Sequence, residues 1–259
     1  MEWYEALILG VIQGLTEFLP VSSSGHLEIG SVLLGSEPET SLDFTVAVHG
    51  ATVLSTLVVF RKDILHLLQN GLRLQYNEST AYILKILLSM VPVLVVGLFF
   101  KENVEALFTG NLALVGSMLL VTSALLGFTY LRKKHGTVKL GYLQAFIIGI
   151  SQAVAVIPGI SRSGATIATG LMLGNRRDEI ARFSFLMVII PIIGANLMDI
   201  AGNTAKSSTP LLPLLIGFSA AFLSGLIACR WMIKLVNRGK LAYFAAYCAI
   251  LGICAVIFA

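Results

Sequence analysis

FLPVSSSGH at residues 18–26 and VIPGISRSGAT at 156–166 decide how this chain folds. Each lies in the middle of an apolar stretch, 4–34 and 142–174, that is long enough to cross a bilayer. Pro, Gly and clustered Ser break a helix. Backbone groups freed at membrane depth must be buried in protein or line a water-filled cavity. A helical hairpin that enters, turns near the middle and leaves on the same side meets that demand. Both stretches are therefore expected to be re-entrant.

The rest of the composition places these hairpins in a membrane. Of the 259 residues, 56% are hydrophobic and only 12% charged, with a mean hydropathy of +0.87. An ordinary globular domain carries about 25% charged residues, and a soluble fold could not cover this much apolar side chain. A cytosolic enzyme, a disordered chain and a disulfide scaffold are excluded. A spanning helix needs about 20 mostly apolar residues. Six runs qualify, at 44–60, 82–100, 112–131, 183–201, 211–229 and 242–258. The expected fold is all-α, a polytopic membrane protein with six spanning helices plus two re-entrant hairpins in a single domain, 1–259. Cys229, Cys248 and Cys254 lack metal-ligand spacing and read as small apolar fillers. The acidic start is not that of a cleavable signal peptide.

The net charge of +4 comes from short loops between apolar runs, not from a basic-aromatic stripe, so no nucleic-acid partner is expected. If both broken stretches are re-entrant, loops 61–81, 132–141, 175–182 and 230–241 share one side of the membrane and carry fourteen Lys and Arg. The opposite side receives only Lys101 and Lys206. The basic side is cytoplasmic, so both termini and the mouth of the first hairpin are expected to be extracytoplasmic. A full crossing by either stretch would divide the basic loops between the two sides.

Sliding the chain by 139 residues superposes the broken stretches without a gap. Ala6 falls on Ala145, Gly10 on Gly149, Gln13 on Gln152, Ser22 on Ser161, Ser24 on Ser163, Gly25 on Gly164 and Phe44 on Phe183. Each half, approximately 1–131 and 140–259, is one hairpin plus three crossings. Three is odd, so the second copy is upside down, and sites in such inverted repeats lie near the midplane between the copies. The two polar tips are expected to meet there.

The first tip offers Gln13, Glu17, Ser22, Ser23, Ser24, Gly25 and His26. The second offers Ser161, Arg162, Ser163 and Thr166. Gln13 and Glu17 share a helix face. An ionisable group at this depth is a functional candidate, against the plainer reading of two tight turns between packed helices. An arginine, hydroxyls, close-approach glycines and helix N-termini make an anion cradle. Glu17 and His26 add acid–base or nucleophilic capacity. Together they suit attack on a phosphoryl group. Glu17 falls on Val156, Ser23 on Arg162 and His26 on Ala165, so the copies supply one composite site. His49 reads as a polar helix–helix contact, Glu28 as lumenal or interfacial, and His66 and His135 as solvated. No metal-ligand spacing is present. A divalent ion would be held by Glu17 together with substrate phosphates. A lipid-phosphate flippase, moving an anionic head group without cleaving it, is the alternative from another functional class.

QGLTEFLPVSSSGH at 13–26 and PGISRSGAT at 158–166 closely resemble the two signature motifs of the bacterial undecaprenyl-diphosphatase, or bacitracin-resistance, family. The likeness extends over essentially the whole chain. It implies hydrolysis of undecaprenyl diphosphate to undecaprenyl phosphate and inorganic phosphate, recycling the lipid carrier for cell-wall synthesis. It also implies bacitracin resistance and an inner-membrane location. Gln13 and Glu17 occupy the family's (E/Q)-x-x-x-E motif, with glutamine in the first place, which puts a two-carboxylate mechanism in doubt. The resemblance assigns catalytic roles to Glu17, Ser23, His26 and Arg162, with Ser161, Ser163 and Thr166 as diphosphate contacts. It associates the family with magnesium or calcium and with no organic cofactor. A homodimer is compatible with the sequence.

The charge asymmetry has a direct check. In a cysteine-free background, a membrane-impermeant thiol reagent is expected to modify cysteines placed at Ser24 and Thr109 in intact cells. Modification confined to inside-out vesicles would reverse the orientation.

Overall fold

The structure, a computed structural model, describes residues 1–35, 42–71, 76–107, 110–131, 136–202 and 210–259. Arg73, Thr109, Arg132, Lys133, Lys134, His135 and Lys206 lie outside the described residues. Those described form an all-helical chain of thirteen elements: α1 (Trp3–Phe18), α2 (Ser23–Leu34), α3 (Leu42–Val59), α4 (Arg61–Gly71), α5 (Glu78–Phe99), α6 (Lys101–Glu105), α7 (Leu112–Leu131), α8 (Tyr142–Val154), α9 (Arg162–Met172), α10 (Arg177–Met187), α11 (Ile189–Gly202), α12 (Leu211–Asn237) and α13 (Ala242–Ile257).

Four helical stretches are long and apolar enough to cross a membrane: Glu78–Phe99, Leu112–Tyr130, Arg177–Met198 and Leu211–Asn237. A fifth is counted if α3 and α4, bent by 72° at Phe60, form one span. The run at 242–258 becomes the 16-residue α13, about 24 Å long at 1.5 Å per residue and short of a bilayer core of about 30 Å. Three expected loops are partly helical: α10 takes up 177–182, α12 runs on through 230–237, and α4 begins at 61. Residues 61–71 form the amphipathic α4, whose Ile64 and Leu67 pack against the main core. The outward faces are apolar, as lipid contact requires. Glu78–Phe99 has a mean hydropathy of 2.3 with only 17% of its window buried.

The two broken stretches are helix–turn–helix units. α1 ends where Pro20 forbids continuation: Leu19, before the proline, is extended at φ −71°, ψ 144°. The chain then turns through Ser22 at φ 70°, the sole described non-glycine residue with positive φ. Such a conformation costs about 1–3 kcal/mol and persists only where its surroundings enforce it. Ser22 then caps α2, accepting from the Gly25 N–H at 3.3 Å. In the second unit α8 gives way at Ala155, and Gly159 takes φ 91°. Ser161 caps α9 by accepting from the Gly164 N–H at 3.1 Å. The 139-residue offset thus relates the first residues of α1 and α8, those of α2 and α9, and the two capping serines.

Breaking a helix frees backbone groups, and here the protein satisfies them. Thr122 on α7 accepts from the Ser161 N–H at 3.0 Å and donates to the Gly159 carbonyl at 3.2 Å. The Ser163 hydroxyl donates to the Leu19 carbonyl at 3.2 Å, which joins one tip directly to the other. Cys248 Sγ on α13 reaches the Pro20 carbonyl at 3.7 Å. Along the flanks, α1 lies close against α12. A Cβ on Gly10 would stand 2.5 Å from the Gly217 carbonyl oxygen.

Gly159 is required twice over, by its positive φ and by proximity. A Cβ there would sit 2.5 Å from the Val115 carbonyl oxygen and 2.7 Å from Met118 Cβ. Gly159→Ala is expected to cost about 2 kcal/mol or more, read as a lowered thermal midpoint of the detergent-purified protein.

Candidate active site

The tips converge on the Glu17 carboxylate. Glu17 stands in the last turn of α1, with its side chain only 9% exposed. Arg162, the first residue of α9, brings Nη2 to 3.5 Å from Oε1. The other oxygen, Oε2, accepts from Ser23 Oγ at 2.7 Å and from Gln13 Nε2 at 3.0 Å. Gln13 precedes Glu17 by one helical turn, which puts both on one face. A carboxylate withdrawn from water is stable only when paired and hydrogen-bonded, and all three partners come from the two broken stretches.

His49 joins the same oxygen from α3, with Nε2 at 3.9 Å from Oε2. Its Nδ1 lies 2.9 Å from the Thr45 carbonyl. A carbonyl can only accept, so Nδ1 carries hydrogen. Nε2 bears a second hydrogen only when the ring is cationic. The sequence marked it as a helix–helix contact. Contact it is, with the acid group of the site as its partner.

A hollow opens beside this cluster. Glu17, Thr52, Thr56, Arg162, Ser163, Thr166 and Ser184 give it polar walls, and Phe18, Val53, Phe185, Val188, Ile189 and Ile192 give it apolar ones. Thr52, Thr56 and Ser184 were missed by motif reading. They lie on α3 and α10, outside both broken stretches, as isolated hydroxyls within apolar runs.

The remaining expected residues fall in two groups. Ser22, Ser24 and Gly25 shape the first tip: Ser22 and Ser24 hydroxyls are 3.3 Å apart, and Gly25 lies against Val115 and Gly159. Ser161 and Ser163 pair likewise at 3.3 Å. Thr166 donates back to the Arg162 carbonyl at 2.9 Å. His26 is not brought to Glu17. Its Nδ1 is 2.7 Å from the Ser22 carbonyl and must donate there, so Nε2, 2.7 Å from Tyr247 Oη, accepts the phenol hydrogen. The imidazole stacks on that ring at 5.6 Å between centroids. His26 thereby ties the first tip to α13 and does not line the hollow.

A resident divalent cation does not fit this donor set. Glu17 is the hollow's one carboxylate, and both its oxygens are engaged. Among the described residues no three His, Cys, Asp or Glu side chains gather as metal ligands.

Comparison with known proteins gives one answer along the whole chain. Residues 6–254 match the family described as Bacitracin resistance protein BacA. The undecaprenyl-diphosphatase of Bacteroides fragilis is 54% identical, covering 99% of this chain and 98% of the relative. That of Christiangramia forsetii is 55% identical, covering 100% and 99%. A protein of the same name in Korarchaeum cryptofilum is 39% identical, covering 98% of each.

The cluster predicts a coupling. Arg162→Ala leaves a buried carboxylate without its cation and is expected to cost about 2–3 kcal/mol. Adding Glu17→Gln should recover much of that loss, because the orphaned charge is the source of the penalty. Thermal melts of the two single variants and the double variant measure it.

Proposed function

The chain belongs to the bacitracin-resistance (BacA) family, and from that membership we propose that it is an undecaprenyl-diphosphatase. It is a membrane hydrolase that converts undecaprenyl diphosphate to undecaprenyl phosphate and inorganic phosphate. Removing the trapped form of the lipid underlies resistance to bacitracin. The observation that carries this reading is the Glu17 carboxylate held between Ser23 on one oxygen and Arg162 on the other.

The geometry supports a two-step reaction. Ser23 Oγ already gives its hydrogen to Glu17 at 2.7 Å, so the carboxylate is placed to take that proton as the oxygen attacks the terminal phosphorus. The bond from phosphorus to the bridging oxygen breaks, and undecaprenyl phosphate leaves with that oxygen. Water then attacks the serine-bound phosphoryl group, releasing inorganic phosphate and restoring the Ser23 hydroxyl. Arg162 offsets the charge that gathers on the phosphoryl oxygens. His49 offers a second place for the proton beside Glu17. His26 holds the first tip in place, since Tyr247 occupies its basic nitrogen. A magnesium or calcium ion would arrive as a complex with the diphosphate, whose oxygens would supply most of its ligands.

The topology read from the charges completes the proposal. Six crossings and two re-entrant hairpins form an inverted repeat in the inner membrane, with both termini extracytoplasmic and the site opening on that face. The matched offsets of helix starts and capping serines support the repeat. The meeting of the two tips through Ser163 and Leu19 supports hairpins that turn within the bundle.

Purified protein supplied with undecaprenyl diphosphate is expected to release phosphate. Glu17→Gln, Ser23→Ala and Arg162→Ala should each lower turnover by about two orders of magnitude or more. Rapid-quench experiments with labelled terminal phosphate should trap label on the wild type and none on Ser23→Ala. Lipid binding without phosphate release would favour a flippase instead.

A further inference from the structure

The hollow beside Glu17 is lined by five hydroxyls, and four of them have already spent their hydrogen on backbone carbonyls. Thr52 donates to His49 at 2.8 Å and Thr56 to Thr52 at 3.0 Å. Ser163 donates across the tips to Leu19, and Thr166 donates to the carbonyl of Arg162. Such back-bonding is the usual fate of Ser and Thr in helices. Ser184 departs from it. It lies in α10, only 4% exposed, and its Oγ has no partner among the described residues. A buried hydroxyl left unpaired is costly, and a ligand entering the hollow would relieve that cost.

We propose that Ser184 is a substrate-binding residue whose hydroxyl donates to a phosphoryl oxygen of the bound lipid diphosphate, completing the hold begun by Arg162. Two observations support this independently of the motifs. Ser184 lines the same hollow as Glu17 and Arg162. Among the described side chains, Ser184 and the guanidinium, which has five N–H groups and one at Glu17, are also the donors there that remain uncommitted. The ligand class follows from the donors. An arginine and one hydroxyl, walled by apolar side chains, suit an anionic head group carried on a hydrocarbon. The proposal rests on the hydrolase reading for the identity of that head group.

The test compares Ser184→Ala and Ser184→Thr with wild type, using undecaprenyl diphosphate in detergent. Ser184→Ala is expected to raise KM about tenfold, the value of one hydrogen bond to a charged acceptor, with kcat changed less than about threefold. Its thermal midpoint without substrate should equal or exceed that of wild type, because an unpaired buried donor has been removed. Ser184→Thr, which keeps the hydroxyl, should hold KM near the wild-type value. An unchanged KM in Ser184→Ala overturns the proposal, since water would then be the partner. A raised KM together with a lowered thermal midpoint overturns it as well, by showing a packing role. Equilibrium binding of the same lipid, measured in parallel, separates the two levels. A wild type that binds without hydrolysing removes the hydrolase reading, while the ratio of Kd values between wild type and Ser184→Ala still decides the role of the hydroxyl.

Discussion

A carboxylate inside an apolar bundle persists here because an arginine from the other half of the chain reaches it. Insertion scales put a charged residue at the centre of a membrane helix at about 2.5–3.5 kcal/mol. Glu17 and Arg162 would each bear such a cost alone. Pairing them makes the arrangement tolerable, and the pairing dictates much else. It requires two broken helices whose tips approach each other, and hence internal partners for the backbone groups that the breaks release. Thr122, Ser163 and Cys248 supply those partners. The strained Ser22 and the crowded Gly159 are consequences of turning the chain in so small a space.

Much of this architecture was legible in the residues. Pro20, Pro158 and the serine clusters located both turns, and the 139-residue offset matched the starts of α1 and α8, those of α2 and α9, and the capping serines Ser22 and Ser161. Glu17, Gln13, Ser23 and Arg162 could be named because ionisable groups, amides and clustered hydroxyls are conspicuous in an apolar stretch. Length was less legible. A run of apolar residues states where lipid is tolerated, not where a helix bends, so the turn at Phe60 and the short α4 beyond it escaped notice. The partners of His26 were not legible for a different reason. Its place in the motif suggested chemistry, but one histidine nitrogen is fixed by Ser22 and the other by a tyrosine more than two hundred residues away. That contact belongs to tertiary packing and leaves no local trace.

The hydroxyls show how residue type and chemical role come apart. A serine-rich motif in a membrane suggests a set of donors for an anion. Once the fold is in place, Ser161 accepts a helix-capping N–H, while Ser163 and Thr166 give their hydrogens to backbone carbonyls. The motif serines therefore build the cavity more than they equip it. Among the described residues that line the hollow, the uncommitted hydroxyl comes from α10, within an apolar run that no motif would single out.

The pair across the tips also has a consequence for biosynthesis. More than half the chain separates Glu17 from Arg162. At roughly 5–20 residues per second, the ribosome needs on the order of ten to thirty seconds to reach the arginine after making the glutamate. For that interval the nascent amino-terminal half holds an acid whose counter-ion has not been synthesised. Insertion machinery that shelters polar segments, or retention of the first hairpin near the bilayer surface until the second arrives, would bridge the gap. A ribosome stalled before the second tip would leave a fragment prone to quality-control degradation.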